Sequence, residues 1–249
     1  ISENQDTWMK EWGIKKENIA LVPPGITNEN FEKMDKKKYQ EKFKTLGHKV
    51  IGYVGRIQEY KGLSQMVDAL PNIKKNFGKV KILFVWLDSG YEKELRNRVR
   101  NLNVEKDVIF TGEVSEKEKR GLISIMDVFV LPSKIEGFGI VMLEAMAQKV
   151  PIISTKTDGG KFLIKNKENG FLYSFGDIKD LENKTIKLIM DKKLRNKIIK
   201  NNLNKARDFL CDNQSHKLEK IYVDEMKKIE NDKTLWDEVL FANPNWIVI

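Results

Sequence analysis

Along most of the chain, short unbroken apolar runs alternate with longer stretches in which apolar residues recur at helical spacing. The runs cover residues 19–23, 50–54, 80–87, 108–110, 128–131, 150–153 and 171–173, and are rich in Val, Ile and Phe. Runs without polar alternation suit strands buried on both faces. Between them, residues 63–77, 92–102, 116–125, 140–148 and 181–190 show the periodicity of amphipathic helices. Strands alternating with helices imply right-handed crossovers and a parallel sheet. The pattern therefore predicts an α/β domain with a doubly wound parallel sheet over residues 15–190. Residues 191–249 read as extra C-terminal helices, with Leu194, Ile198 and Ile199, then Leu218, Ile221 and Met226 on their apolar faces. They end in an apolar tail carrying Trp236, Phe241, Pro244 and Trp246, expected to dock onto a surface.

Composition narrows the class without changing that picture. A chain of 249 residues, 41% hydrophobic, can bury a sizeable core without disulfide or metal staples. Its single cysteine, Cys211, excludes an internal disulfide framework and fits a reducing, cytoplasmic setting. One Cys with the separated His48 and His216 builds no metal centre. No apolar run approaches a membrane span, and the opening ISENQDTW is no signal peptide. That opening, without Met, reads as mid-protein, so residues 1–14 are expected to be the remnant of a preceding domain or a linker.

The formal net charge is +9, and much of it is local: residues 184–207 hold nine basic side chains against one acidic one, Asp191. The plain reading is the solvated face of two helices. The sharper one is peripheral contact with an anionic membrane surface through this stretch. No nucleic-acid motif accompanies it and no aromatics are interleaved, so no nucleic-acid partner is expected.

Candidate chemistry lies where open parallel sheets bind ligands, in the loops leaving the carboxyl ends of strands. Gly55-Arg56 closes one strand and Lys61-Gly62 opens the next helix. Two cations five positions apart across a turn can clamp a pyrophosphate, one as a planar fork and one as a point charge. A second strand ends at Leu131-Pro132, and Glu136-Gly137-Phe138-Gly139 leads into a helix starting near Ile140. Unpaired amides in a helix's first turn suit an anion, and Gly137 and Gly139 allow close approach to the backbone. Glu144 stands inside this largely apolar helix, where side chains lean toward the N-terminus, so its carboxylate can meet a ribose hydroxyl pair there. Glu136 in the loop suits sugar hydroxyls. A third turn, Gly112-Glu113-Val114-Ser115-Glu116, offers Val114 to a flat base or is an ordinary turn, with Ser115 as N-cap.

Taken together, Gly-Arg-(x4)-Lys-Gly, then Gly-x-Val, then Pro-Ser-x-x-Glu-Gly-Phe-Gly-(x4)-Glu-Ala-Met-Ala resemble the retaining glycosyltransferases of family 4, also called group 1. The segment Val22-Pro23-Pro24-Gly25-Ile26 is similar to that family's entry into its C-terminal domain. The resemblance implies the GT-B fold, with this chain as its Rossmann-like, donor-binding C-terminal domain. It implies transfer of a sugar from a UDP- or GDP-linked donor to an acceptor hydroxyl with retained configuration. Arg56 and Lys61 would hold the pyrophosphate, with Gly55 beside them. Glu136 would hold the donor sugar, with Gly137, Phe138 and Gly139 alongside, and Ile140 would offer its amide to a phosphate. Val114 would contact the base and Glu144 the ribose.

No Asp-x-Asp element occurs, so neither a metal nor another cofactor is expected. The acceptor-binding N-terminal domain is expected to be a missing partner, leaving the isolated chain nearly inactive. Three features depart from the family pattern. Residues 85–90 carry Asp88 instead of a small glycine motif, Lys149 stands where glycine often ends the helix, and Gly159-Gly160 lacks a following glutamate. The alternatives are a binding module without turnover, or another enzyme of this fold such as a nucleotide-sugar epimerase.

Overall fold

The computed structural model describes residues 13, 19–85, 90–231 and 247–248. The end of the third apolar run, the loop with Asp88, most of residues 1–14 and nearly all of the aromatic tail lie outside that set. The chain forms two compact units, one of residues 28–207 and one drawn from residues 1–27 and 208–249.

The larger unit is built on a six-stranded parallel sheet. Its strands are β2 (Lys49–Val54), β3 (Val80–Val85), β4 (Val108–Phe110), β5 (Val128–Leu131), β6 (Ile152–Thr155) and β7 (Phe171–Tyr173), in spatial order β4-β3-β2-β5-β6-β7. Val50, Leu83, Phe129 and Ile153 are fully buried, which is why these runs carry no polar alternation. Gly52 pairs with Leu83 on one side and Phe129 on the other, so β2 is central. The sheet turns back on itself between β2 and β5, because the chain builds β3 and β4 outward on one side before returning for β5.

The expected helices appear as α2 (Ser64–Phe77), α3 (Glu92–Asn101), α4 (Glu116–Ser124), α5 (Ile140–Ala147) and α7 (Ile178–Met190). Two further helices, α1 (Lys36–Lys42) and α6 (Asp158–Leu163), were not expected from periodicity. The first has a single buried side chain, Tyr39, and the second is only six residues long. Helix α2 packs on α3 and α7, while α4 packs on α1 and α5. Helix α2 runs through Pro71 without ending.

The sequence boundary at residue 190 falls just before α8 (Lys192–Asp208), but nearly all of that helix groups with the sheet. Ile198 and Ala206 are fully buried, and Lys205 donates to the Phe162 carbonyl at 3.3 Å. In the smaller unit, Ile26 forms a parallel bridge to Leu210 at the start of α9 (Cys211–Asn231). A Cβ at Gly25 would stand 2.8 Å from the Cys211 Cα, so the Pro-Pro-Gly entry needs its glycine for backbone packing. A two-residue strand β1 (Ile19–Ala20) pairs in parallel with β8 (Ile247–Val248).

Candidate functional site

The loops after β2 and β5 leave adjacent central strands, and they meet. Lys61 Nζ lies 2.8 Å from Glu136 Oε2, joining residues 75 positions apart. The Lys134 amide donates to the Tyr60 carbonyl at 2.7 Å, so the two backbones are linked as well. Lys61 and Glu136 side chains are only 14% and 15% exposed. Arg56 is exposed, but Lys61 is not, because Glu136 draws it inward.

Several buried contacts hold these loops. The Tyr53 hydroxyl donates to the Arg56 carbonyl at 2.9 Å, and burial, with Glu136 nearby, pushes that phenol well above its ordinary range. Gln65, itself buried, donates to the carbonyls of Gly62 and Pro132 at 3.2 and 3.1 Å and accepts from the Gly176 amide at 2.7 Å. One side chain thus ties together the loops after β2, β5 and β7. The Gly159 amide donates to the Glu136 carbonyl at 2.9 Å, and a Cβ at Gly159 would come within 2.5 Å of the Phe138 carbonyl oxygen. Gly159 therefore seats the Glu136–Gly139 loop, while Gly160 packs on the Thr155 carbonyl at the end of β6. Phe138 also packs its ring on Phe162, with centroids 5.8 Å apart.

Gly139 takes a left-handed conformation (φ 78°, ψ 55°) as the N-cap of α5 and supplies no capping side chain. The first-turn amides at Ile140 therefore keep the anion-binding character of an uncapped helix start. Gly137 differs: its φ is not positive, and an added Cβ would meet nothing within 4 Å. Nothing among the described residues requires glycine there, whereas a ligand lying along the loop would. Gly55 has φ 142° and packs over the Tyr53 ring.

Glu144 is buried in α5 among Met142, Leu143, Ala145 and Met146. Its Oε1 lies 2.9 Å from Lys119 Nζ, while Oε2 is buried without a partner among the described residues. Burial raises the Glu144 carboxyl above its usual range, and Lys119 offsets this only in part. Burial likewise lowers the Lys119 amine, but Glu144 and Glu116 together lift it above its ordinary value. Lys119 sits in the first turn of α4, just past Ser115, whose hydroxyl caps that helix by accepting from the Glu118 amide at 3.2 Å. It joins the half-buried Val114 turn to the α5 carboxylate. Lys119 was not singled out from sequence; the only signal was that a carboxylate in an apolar helix needs a donor.

Lys149 follows α5 with φ 64°, the left-handed conformation its position implied. The fold thus brings together two cation–carboxylate pairs, Lys61 with Glu136 and Lys119 with Glu144.

Residues 35–205 match the family model described as glycosyl transferases group 1. The chain is similar to the capsular polysaccharide biosynthesis glycosyltransferase CapM of Staphylococcus aureus, at 33% identity over 205 residues, 80% of this chain and 53% of that one. It spans about half the length of the curated relatives it matches. Its fold follows the HepE protein of Anabaena in complex with UDP and glucose, with TM-score 0.81, 22% identity, and coverage of 90% of this chain and 62% of that one. It is also similar to the C-terminal domain of a Francisella tularensis glycosyl transferase group 1 family protein, LpcC. There the TM-score is 0.64 and the identity 27%, covering 74% of this chain and 97% of that one.

Proposed function

This chain belongs to the glycosyl transferases of group 1, and on that premise we propose that it is the donor-binding half of a retaining GT-B enzyme. The reaction is transfer of a sugar from a nucleoside diphosphate, UDP- or GDP-linked, to an acceptor hydroxyl. One observation carries the reading. The 2.8 Å contact of Lys61 with Glu136 puts a cation and a carboxylate together between β2 and β5, where strand order reverses.

In this reading Arg56, Lys61 and the Ile140 amide meet the diphosphate, with Gly55 giving room for it. An ammonium has three protons to donate, so Lys61 can hold Glu136 and a phosphate oxygen together. Glu136 accepts hydrogen bonds from the donor sugar, flanked by the Gly137, Phe138 and Gly139 backbone. Val114 lies against the base and Glu144 takes the ribose. As the glycosidic C–O bond to the diphosphate breaks, new negative charge forms beside cations and amides already in place. The acceptor hydroxyl approaches from the face the diphosphate leaves, and its proton passes to a departing phosphate oxygen. With Glu136 tied to Lys61 and 3.4 Å from the Ser133 hydroxyl, a hydrogen-bonding role suits it better than attack on the sugar. The acceptor wall is assigned to the other half of such enzymes.

Because the protein's own cations offset the diphosphate, no divalent metal is needed for binding. Calorimetric titration of UDP and GDP into the chain with a chelator present tests this. Binding of at least one is expected to persist, and loss of both on chelation would overturn it.

Among the described residues, no helix is long and apolar enough to cross a membrane. Membrane contact, in this proposal, is peripheral. Folding uses Lys184 and Arg195 on backbone carbonyls, while Lys187, Lys192, Lys193, Lys197 and Lys200 stay exposed. Such a face suits an anionic lipid surface.

A further inference from the structure

We propose that Lys119 is a positioning residue for ribose recognition: its ammonium pins one oxygen of Glu144, leaving the other as the acceptor for a ribose hydroxyl. The proposal rests on the reading of Glu144 as the ribose contact and adds the group that makes it one.

Three observations converge on it. Lys119 is only 7% exposed at the side chain and sits in the first turn of α4, where the helix dipole disfavours a cation. Helix α4 by itself gives no reason to bury an ammonium there. Among its partners are two carboxylates, Glu116 at 2.8 Å and Glu144 at 2.9 Å. Glu116 is 62% exposed, so Glu144 is the partner that draws the amine inward.

The second observation concerns Glu144. A buried ion pair serving only packing would be as well replaced by apolar side chains of similar volume. A structural pair would also leave no oxygen without a donor. Here Oε1 takes Lys119, and Oε2 is buried with none among the described residues. A buried acceptor left open is costly unless a ligand completes it.

The third is placement. Lys119 lies four residues after Ser115, the cap that closes the Val114 turn, and Glu144 lies four residues after Ile140. The pair therefore stands between the loop assigned to the base and the helix start assigned to the phosphates. A nucleotide's ribose occupies that interval. Burial and the Glu116 charge favour protonated Glu144, and Lys119, with a smaller share from Arg120, works against that.

The test is the ribose preference of the whole chain across pH 6–9, measured by titration calorimetry. The probes are UDP, GDP and their 2′-deoxy counterparts, with inorganic pyrophosphate as the ribose-free control. The parent is expected to prefer the ribonucleotide by about tenfold or more, the range for a hydrogen bond to a charged group. Its preference should be nearly independent of pH. In Lys119→Met the preference should fall several-fold, most at the acid end of the range, where Glu144 keeps only Arg120 to favour its ionised form, while pyrophosphate binding holds. Lys119→Gln, which keeps a donor without charge, gives the same reading if the Met variant does not fold. Lys119→Arg should restore the flat profile.

A Lys119→Met or Lys119→Gln profile matching the parent at every pH would overturn the proposal and leave Lys119 structural. A parent that binds diphosphate yet ignores the 2′-hydroxyl would sink the Glu144 assignment, and this proposal with it. A parent that binds neither nucleotide nor pyrophosphate would instead count against the donor-site reading itself.

Discussion

Arg56 and Lys61 carry the same charge five positions apart, yet their surroundings make them different experiments. Arg56 is exposed, so Arg56→Ala should change stability by no more than about 0.5 kcal/mol. Its effect should fall on diphosphate binding, weakened by roughly 1.5–3 kcal/mol. Lys61→Ala removes the cation beside Glu136, itself only 15% exposed, and should lower both stability and affinity. Thermal unfolding paired with pyrophosphate titration separates the two, and equal stability for both variants would show that the Lys61–Glu136 contact contributes little. At this scale the sequence was half legible. A glutamate inside an apolar helix announces a need for a donor, and Glu144 was found that way. Its donor was not, because residues 116–120 alternate charges like any solvated helix start. Only the packing of α4 against α5 turns Lys119 inward.

Among the elements, the loop into α5 holds two glycines with different reasons to be glycine. Gly139 is left-handed, and an added Cβ would crowd Met142 Cε at 2.6 Å. Gly139→Ala should therefore cost about 1–2 kcal/mol of stability from backbone strain alone. Gly137 has neither constraint, so Gly137→Ala should unfold at the parent temperature. If the glycine serves a ligand, the same change should weaken a UDP- or GDP-sugar several-fold more than the free nucleotide. Parent-like binding of both would return Gly137 to an ordinary loop position. The strands were legible because residues buried on two faces leave an unbroken apolar run. Helix α1 was not, since only Tyr39 among its seven residues turns inward, where it packs over Gly121. Strand order is not written in periodicity at all. That β2 lies beside β5 follows from how the crossovers run, and with it the meeting of the Arg56 and Glu136 loops. The role of Gln65 stayed hidden for the same reason, since its three partner loops come together only in the folded sheet.

For the molecule as a whole, the +9 charge gives a direct expectation. Cosedimentation with vesicles of anionic lipid should be measurable at low salt, should fall steeply as salt rises, and should be absent with neutral lipid. Lys192→Glu with Lys197→Glu should reduce it, without altering nucleotide binding elsewhere on the sheet edge. Binding to neutral vesicles, or indifference to those two changes, would remove residues 184–207 from consideration. A different consequence follows from the central position of β2, and it concerns synthesis. Glu136 is translated 75 residues after Lys61, which at about 5–20 residues per second is a delay of roughly 4–15 s. During that interval β2 can pair with β3, but its other edge, with Ile51 and Gly52 awaiting β5, stays bare. A bare apolar strand edge recruits other chains. Nascent chains stalled before residue 128 should therefore be the ones that chaperones hold, and the half-made site is the stretch of this protein most exposed to misassembly.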